Sequence, residues 1–289
     1  MSGWATLRSS SKLSGTSVRG PWSRTWLGNA RIIITGASRG IGEALARRLA
    51  YYGAHLCLAA RSAEQVHRVA QHLRTFGRSQ IIALGMDVTN ADDRKLLIES
   101  TVYYLGGLDV LVNNAGVGAS GLFEEGTPQR LRQIMETNFF AAAELMRLAI
   151  PHLARSPLGG MIVNVSSVLG RRGVPGYGDY CASKFALTGL SEALRAELVR
   201  YGIHVLTVSP GLIDTPFNQH MLEQRFRPPW RDTERMSASQ CAREIVSAML
   251  KRKNELVITA AGRFLVWANR LVPGLVDWVL AKLMQRYRP

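Results

Sequence analysis

Short apolar runs recur along this chain at 32–35, 54–60, 81–86, 108–113, 161–165, 203–208 and 256–259. They are rich in Ile, Val and Leu without alternation, as strands buried on both faces are. Longer stretches with helical spacing lie between them. Ile41, Leu45 and Leu49 open the first of these. Ser62 with Gln65 forms a capping box for a helix to about residue 76, and Asn90 ahead of Asp92 and Asp93 caps one to about 104. Thr127-Pro128 starts a long helix to about 154. Another long helix covers 180–200, and Ser237 with Gln240 caps a helix to about 251. Strand and helix alternating in this way predict an α/β fold: a single doubly wound domain with an about seven-stranded parallel sheet and helices on both faces.

The pattern fails at both ends. Residues 1–30 are rich in Ser, Arg and Trp, carry no acidic residue and show no period, so a flexible basic extension is expected there. That composition suits an organelle transit peptide as well as a plain extension. The domain is expected over 31–260, with an amphipathic helical tail over 261–289. In the tail Phe264, Trp267, Ala268 and Leu271 share one helical face. After Pro273-Gly274, Val276, Val279, Leu280, Leu283 and Tyr287 continue an apolar stripe, accompanied by Arg263, Arg270, Lys282, Arg286 and Arg288. Two homes suit such a tail: the interface of a membrane, or packing against the domain near the substrate lid or against a second subunit.

Composition narrows the classes. The net charge is +15, but the basic residues are scattered and form no zinc-finger or RNA-recognition signature, so nucleic acid is not an expected partner. Three isolated cysteines give neither a disulfide framework nor metal-ligand spacing. A reduced, cytoplasmic protein without a metal is expected, with peripheral membrane contact open through the tail.

The chemistry gathers where strands end. Gly36, Gly40 and Gly42 join the first strand to the first helix in a G-x-x-x-G-x-G loop, whose amides and helix dipole suit a pyrophosphate. Such an opening is Rossmann-type. Asp87, Asn113 and Pro210 close later strands, and Ser167 lies just beyond another. Tyr180 and Lys184 stand four apart on a helix and can face one ligand. An ammonium beside a phenol lowers its pKa from about 10 and makes it usable in acid–base chemistry.

Taken in order, Thr35-Gly36-x-x-x-Gly40-x-Gly42, Asp87, Asn113-Asn114-Ala115-Gly116, Asn138, Ser167, Tyr180-x-x-x-Lys184, and Pro210-Gly211 with Thr215 resemble the short-chain dehydrogenase/reductase family over about residues 30–260. The resemblance implies that Tyr180 exchanges a proton with the substrate oxygen and that Ser167 holds that oxygen. It implies that Lys184 lowers the tyrosine pKa and bonds the nicotinamide ribose, and that Asn138 supports a water relay to Lys184. Ser166 and Tyr177 are the neighbouring rivals. Strand alternation turns Ser166 to the other face, and Tyr177 has Cys181 rather than a lysine four residues on. The implied cofactor contacts are Gly36, Ser38, Arg39, Gly40, Ile41, Gly42, Arg61, Asp87, Val88, Asn114, Ala115, Gly116, Tyr180, Lys184, Pro210, Gly211, Ile213 and Thr215. Asp87 would meet the adenine, and its rival role is that of a turn residue.

The second strand ends in Ala60-Arg61 where NAD-preferring members place an acid, and Arg39 lies in the glycine loop. Two guanidinium groups suit a 2′-phosphate, so NADP(H) is the expected cofactor. The expected activity interconverts a carbonyl and a secondary alcohol on an apolar, steroid-, lipid- or xenobiotic-like substrate, with residues 212–236 as a substrate lid. Phe217, Met221, Leu222, Phe226 and Trp230 are its candidate wall. The alternatives are a 3-oxoacyl-carrier-protein reductase and a non-catalytic NADP(H)-binding sensor or scaffold. Family members commonly pair through two long helices, here 128–154 and 180–200, so a homodimer or homotetramer is implied.

Overall fold

A computed structural model describes residues 24–77, 79–226, 228 and 233–285. Trp230, Tyr287, Arg286, Arg288 and most of the expected N-terminal extension lie outside the described residues. Seven parallel strands form the sheet: β1 (Arg31–Thr35), β2 (His55–Ala60), β3 (Ile81–Gly85), β4 (Val110–Asn113), β5 (Met161–Val165), β6 (His204–Ser209) and β7 (Glu255–Val257). Their order is β3-β2-β1-β4-β5-β6-β7. The chain reverses its direction of winding between β1 and β4, which opens a crevice at the carboxyl ends of those strands.

Alternation along each strand divides the core into two layers. Ile32, Ile34, Val110, Val112, Met161 and Val163 face one layer, against α1 (Gly40–Tyr51), α2 (Ala63–Arg74) and α7 (Ala238–Leu250). Ile33, Leu111 and Ile162 face the other, against α3 (Ala91–Leu105), α5 (Ala141–Leu153) and α6 (Gly178–Glu197). Trp26, Leu27 and Ala30 are buried in the first layer, so the core begins before residue 31 and takes in the end of the expected extension. Composition could not reveal this, because three apolar residues in a basic stretch make no period.

The strand starts are held by a buried ion pair. Asp109 accepts from the Arg31 backbone N–H (2.9 Å), from Arg31 Nε and Nη2 (2.8 Å each) and from Ser156 Oγ (2.6 Å). Burial pushes the Asp109 carboxyl up, but these bonds outweigh it and hold the group below its ordinary value.

Two expected elements come out differently. The helix over 128–154 is broken into α4 (Pro128–Met135), a π-helical turn (Glu136–Phe140) and α5. Ser62 Oγ accepts from the Gln65 N–H at 3.4 Å, but the reciprocal half of that capping box is missing and Gln65 Oε1 is buried without a partner. The Ser237–Gln240 box is complete.

The tail forms α8 (Ala260–Leu271) and α9 (Pro273–Gln285), which meet at 119°. No single described helix is long and apolar enough to cross a membrane. Arg172 donates to Asn269 Oδ1 (2.9 Å) and pairs with Asp277, and Asn269 Nδ2 donates to the Arg171 carbonyl (3.3 Å). The tail is thereby tied to the loop that follows Ser167.

Candidate active site

A cleft of about 1150 Å³ opens beyond the carboxyl ends of β1, β2, β4, β5 and β6. Its walls include every expected cofactor contact except Gly42, and also Ser167, Tyr180 and Lys184. Gly42 stands behind the wall. A Cβ there would lie 2.3 Å from the Gly36 carbonyl oxygen and 2.6 Å from Asn114 Nδ2, so only glycine lets α1 start this close to β1. Gly36 and Gly40 have φ of +65° and +60°, where a side chain would be strained. Arg39, at the N-cap of α1, offers no side-chain cap, so the first-turn amides are left for an anion.

Asn114 braces this loop. Its Nδ2 donates to the carbonyls of Thr35 (2.9 Å) and Gly36 (3.2 Å), while its backbone N–H donates to Thr35 Oγ1 (3.0 Å). Arg39 and Arg61 face the same corner. Burial, and then the positive charge of Arg61, lower the Arg39 pKa. Among the described residues neither Arg39 nor Arg61 makes an ion pair with a carboxylate, and both line the cleft beside Ala60. Asp87 spends Oδ1 on the backbone N–H and hydroxyl of Thr89 (2.9 Å each), so its turn role is present, with Oδ2 left over. The glycine cradle, uncapped amides and paired arginines fit a nicotinamide dinucleotide.

At the reacting end, the Ser167 hydroxyl stands near enough to the Tyr180 phenol to act on its pKa, and Ser167 Oγ accepts from the Leu169 N–H at 3.1 Å. Ser166 is turned away: its hydroxyl donates to the Lys184 carbonyl (3.1 Å) and bonds Thr188 Oγ1 (2.9 Å). Tyr177 packs edge-on against Phe226 instead of joining the serine. Lys184 Nζ lies 5.7 Å from the Tyr180 ring centre and donates to the Val165 carbonyl at 2.9 Å. Burial lowers its pKa to about 8.

The expected depression of the Tyr180 pKa is not found; the pKa is raised instead. Burial pushes the phenol up, the Ser167 hydroxyl opposes it, and Cys181 adds to the rise. Lys184 is itself desolvated and directed at a backbone carbonyl, so it does not offset the cost of burying a phenolate.

Asn138 lies behind the wall, in the π turn. Its Nδ2 donates to the Val117 carbonyl and to Ser183 Oγ (2.9 Å each), and its Oδ1 accepts from the Val117 N–H (2.8 Å). The side chain therefore ties the loop after β4 to α6, and both of its N–H donors are committed. A Cβ on Gly116 would sit 3.2 Å from Asn138 Oδ1 and 3.5 Å from Lys184 Nζ, which places the two residues side by side.

Phe217, Met221 and Phe226 line the cleft, and the Phe217 ring lies 5.9 Å from that of Tyr180. Leu222 does not line it; its side chain is exposed, and its N–H donates to the Gly118 carbonyl (2.8 Å). Among the wall residues that sequence reasoning did not place at the cleft are Leu265 of α8 and Leu280 and Leu283 of α9. Leu280 and Leu283 fall on the apolar stripe of the tail and Leu265 does not, and no local pattern says which residues of the tail face the cleft. Among the described residues no group of His, Cys, Asp and Glu could hold a metal ion.

A family model described as short chain dehydrogenase matches residues 30–225. The chain belongs to the short-chain dehydrogenase/reductase family of oxidoreductases. It is 38% identical over 262 residues to 11-beta-hydroxysteroid dehydrogenase A of Arachis hypogaea, covering 86% of this chain and 74% of that protein. Among solved structures it resembles an alcohol dehydrogenase from the archaeon Thermococcus sibiricus complexed with 5-hydroxy-NADP, with a TM-score of 0.70 and 28% identity over 78% of this chain and 94% of that one. It also resembles 3-ketoacyl-(acyl-carrier-protein) reductase from Brucella melitensis complexed with NADH, with a TM-score of 0.72 and 25% identity over 80% and 97%.

Proposed function

We propose that this protein is an NADP(H)-dependent oxidoreductase that interconverts a carbonyl and a secondary alcohol on an apolar substrate. The observation that carries the reading is the meeting of Ser167, Tyr180 and Lys184 in a cleft whose walls also include the apolar side chains of Phe217, Met221, Phe226, Leu265, Leu280 and Leu283. The cofactor supplies or accepts hydride when bound. Ser167 holds the substrate oxygen and stabilises charge developing on it. Tyr180, kept protonated by burial, is the proton donor to that oxygen in the reducing direction. Lys184 holds the ribose and places positive charge beside the phenol, while Asn138 fixes the loop and helix that carry them. Steady-state oxidation of NADPH with a panel of ketones, aldehydes, ketosteroids and acyl thioesters tests this reading. Turnover of apolar ketones is expected; turnover confined to acyl thioesters would instead favour a carrier-protein reductase.

NADP(H) is proposed over NAD(H) on the strength of Arg39 and Arg61. NADPH is expected to bind at least about tenfold more tightly than NADH, a difference of about 1.4 kcal/mol that one charge-assisted contact supplies. The double variant Ala60→Asp, Arg61→Ala is expected to reverse the preference. Equal dissociation constants in the parent protein, measured by titration of nicotinamide fluorescence, would show that neither arginine meets a 2′-phosphate.

The remaining assignments concern surfaces. Phe140 in the π turn and Phe185 on α6 are exposed on the two long helical stretches, which supports pairing of subunits there. The protein is proposed to be cytoplasmic, with the tail resting on membranes. The outer faces of α8 and α9 expose Phe264, Trp267, Leu271, Leu275 and Trp278, while the opposite side lines the cleft. Arg263, Arg270 and Lys282 border this surface, and its one acid, Asp277, is paired with Arg172. An apolar face edged with cations suits an anionic lipid interface and would let a lipophilic substrate enter from it. Full-length protein is expected to co-sediment with anionic vesicles at low salt and to be released by high salt. Failure to sediment at low salt would assign the face to a protein contact.

A further inference from the structure

Arg130 is buried, belongs to none of the motifs that the sequence marks as functional, and joins two sides of the site. Its Nε donates to Asp179 Oδ2 at 2.7 Å, and its Nη1 donates to Glu223 Oε2 at 2.5 Å. Asp179 immediately precedes Tyr180 at the start of α6, and Glu223 lies in the segment that carries Phe217, Met221 and Phe226. The Arg130 and Asp179 side chains are 7% and 5% exposed, so this is an enclosed ion pair and not a surface one. Arg225 pairs with the other oxygen of Glu223, which leaves the four-residue cluster neutral. Room for the guanidinium comes from Gly126, where a Cβ would lie 2.1 Å from Arg130 Nη2.

The segment that Glu223 belongs to is also paired by its backbone. The Ser120 N–H donates to the Glu223 carbonyl (2.9 Å), the Arg225 N–H to the Ser120 carbonyl (2.8 Å), and the Leu222 N–H to the Gly118 carbonyl (2.8 Å). A side chain on Gly176 would strike the Phe226 ring, which itself packs on Tyr177. Residues 118–121, 176–180 and 217–226 thus meet around one buried guanidinium.

We propose that Arg130 is a positioning residue that latches the substrate-wall segment to the start of the catalytic helix, so that closing the wall and placing Tyr180 are one event. A substrate that orders residues 217–226 thereby pulls on Asp179 through Arg130 and fixes the phenol beside its oxygen. A substrate too small to touch Phe217 and Phe226 draws nothing from the latch. The kinetic part of this inference rests on the acid–base reading of Tyr180; the coupling of the two segments does not.

Removing Arg130 outright would strand the Asp179 carboxylate in the interior and endanger folding. The test is therefore Glu223→Gln in the full-length chain, with Glu223→Asp as the control that keeps a carboxylate. Hydrogen exchange is followed in peptides covering 118–121, 222–226 and 177–183. The last of these includes the Cys181 N–H that donates to the Tyr177 carbonyl at 2.8 Å. In Glu223→Gln all three regions are expected to exchange about tenfold faster, the scale set by loss of one charge-assisted hydrogen bond. Glu223→Asp is expected to restore most of the protection. The kcat/KM for a bulky apolar ketone is expected to fall about tenfold, mostly through kcat, while a small ketone and NADPH affinity change less than about twofold. Faster exchange confined to 222–226, with 177–183 unchanged, would overturn the latch, and so would equal losses for large and small ketones. If the parent protein reduces no ketone at all, the functional reading fails while the exchange data still decide the coupling.

Discussion

Tyr180→Phe is expected to lose kcat by about 10²–10⁴-fold, the contribution of a positioned acid–base group, while folding and NADPH binding stay near the parent. The reason lies in what the hydroxyl touches. It stands beside Ser167, and the ring makes the packing contacts, including that with Phe217, which phenylalanine keeps. Burial raises the phenol pKa, so the group is protonated at neutral pH and ready to donate toward a carbonyl oxygen. Phenylalanine has nothing to donate, and the Ser167 hydroxyl alone cannot complete the transfer. Steady-state kinetics with any working ketone, together with a cofactor titration, check both halves. Activity within about threefold of the parent would remove Tyr180 from the chemistry, given the magnitude expected of such a group.

Lys184→Met is expected to move stability and activity in opposite directions. The Lys184 side chain is buried, its Nζ is bonded to the Val165 carbonyl, and burial brings its pKa from 10.5 to about 8. The folded pKa is thus depressed below that of the unfolded chain. Below about pH 8 the lysine is charged in both states, and the full cost of burying the charge is present. As pH rises from about 8 toward 10.5 the folded form sheds its proton first, and the cost disappears.

Methionine fills similar space without a charge, so the cofactor-free variant is expected to be about 1–3 kcal/mol more stable near pH 7. That advantage should shrink above pH 8. The same change removes the ammonium from the reacting end and is expected to cut kcat/KM by about 10²-fold or more, the loss typical of a buried electrostatic contact at a reacting centre. Denaturant titrations at several pH values, beside kinetics, make the comparison. A variant that is less stable than the parent near pH 7 would show that Lys184 serves the fold.

The parallel sheet was legible because its strands are buried on both faces and carry almost nothing but apolar residues. β5 falls at 161–165, where the apolar run lies, and β6 is displaced by one residue. The helix starts at Asn90, Thr127 and Ser237 were legible because a cap is a local bond between a side chain and a nearby amide. What escaped depends on partners distant in sequence. The π turn is accompanied by bonds from Asn138 to Val117 and Ser183, and Arg130 meets residues 49 and 93 positions away. Which of its two expected homes the tail takes was also open, and Arg172, which holds α8 and α9, keeps it over the cleft. Hydrophobic period reports that a face is covered and not what covers it. The direction of the Tyr180 pKa escaped for a related reason, since spacing places the lysine but does not measure how deeply both groups are buried.

The central claim is hydride transfer between a nicotinamide and a carbonyl carbon, and an isotope measurement tests it most directly. Purified full-length protein is incubated with an apolar ketone and NADPH carrying deuterium at both C4 positions, and the alcohol is analysed by mass spectrometry and NMR. Deuterium on the carbinol carbon, one atom per alcohol formed, with the labelled alcohol appearing about 10²–10⁴-fold more slowly when Tyr180→Phe replaces the parent, is the predicted result. Tight NADPH binding with no labelled alcohol from any ketone tried would contradict it and leave a cofactor-binding protein without this chemistry.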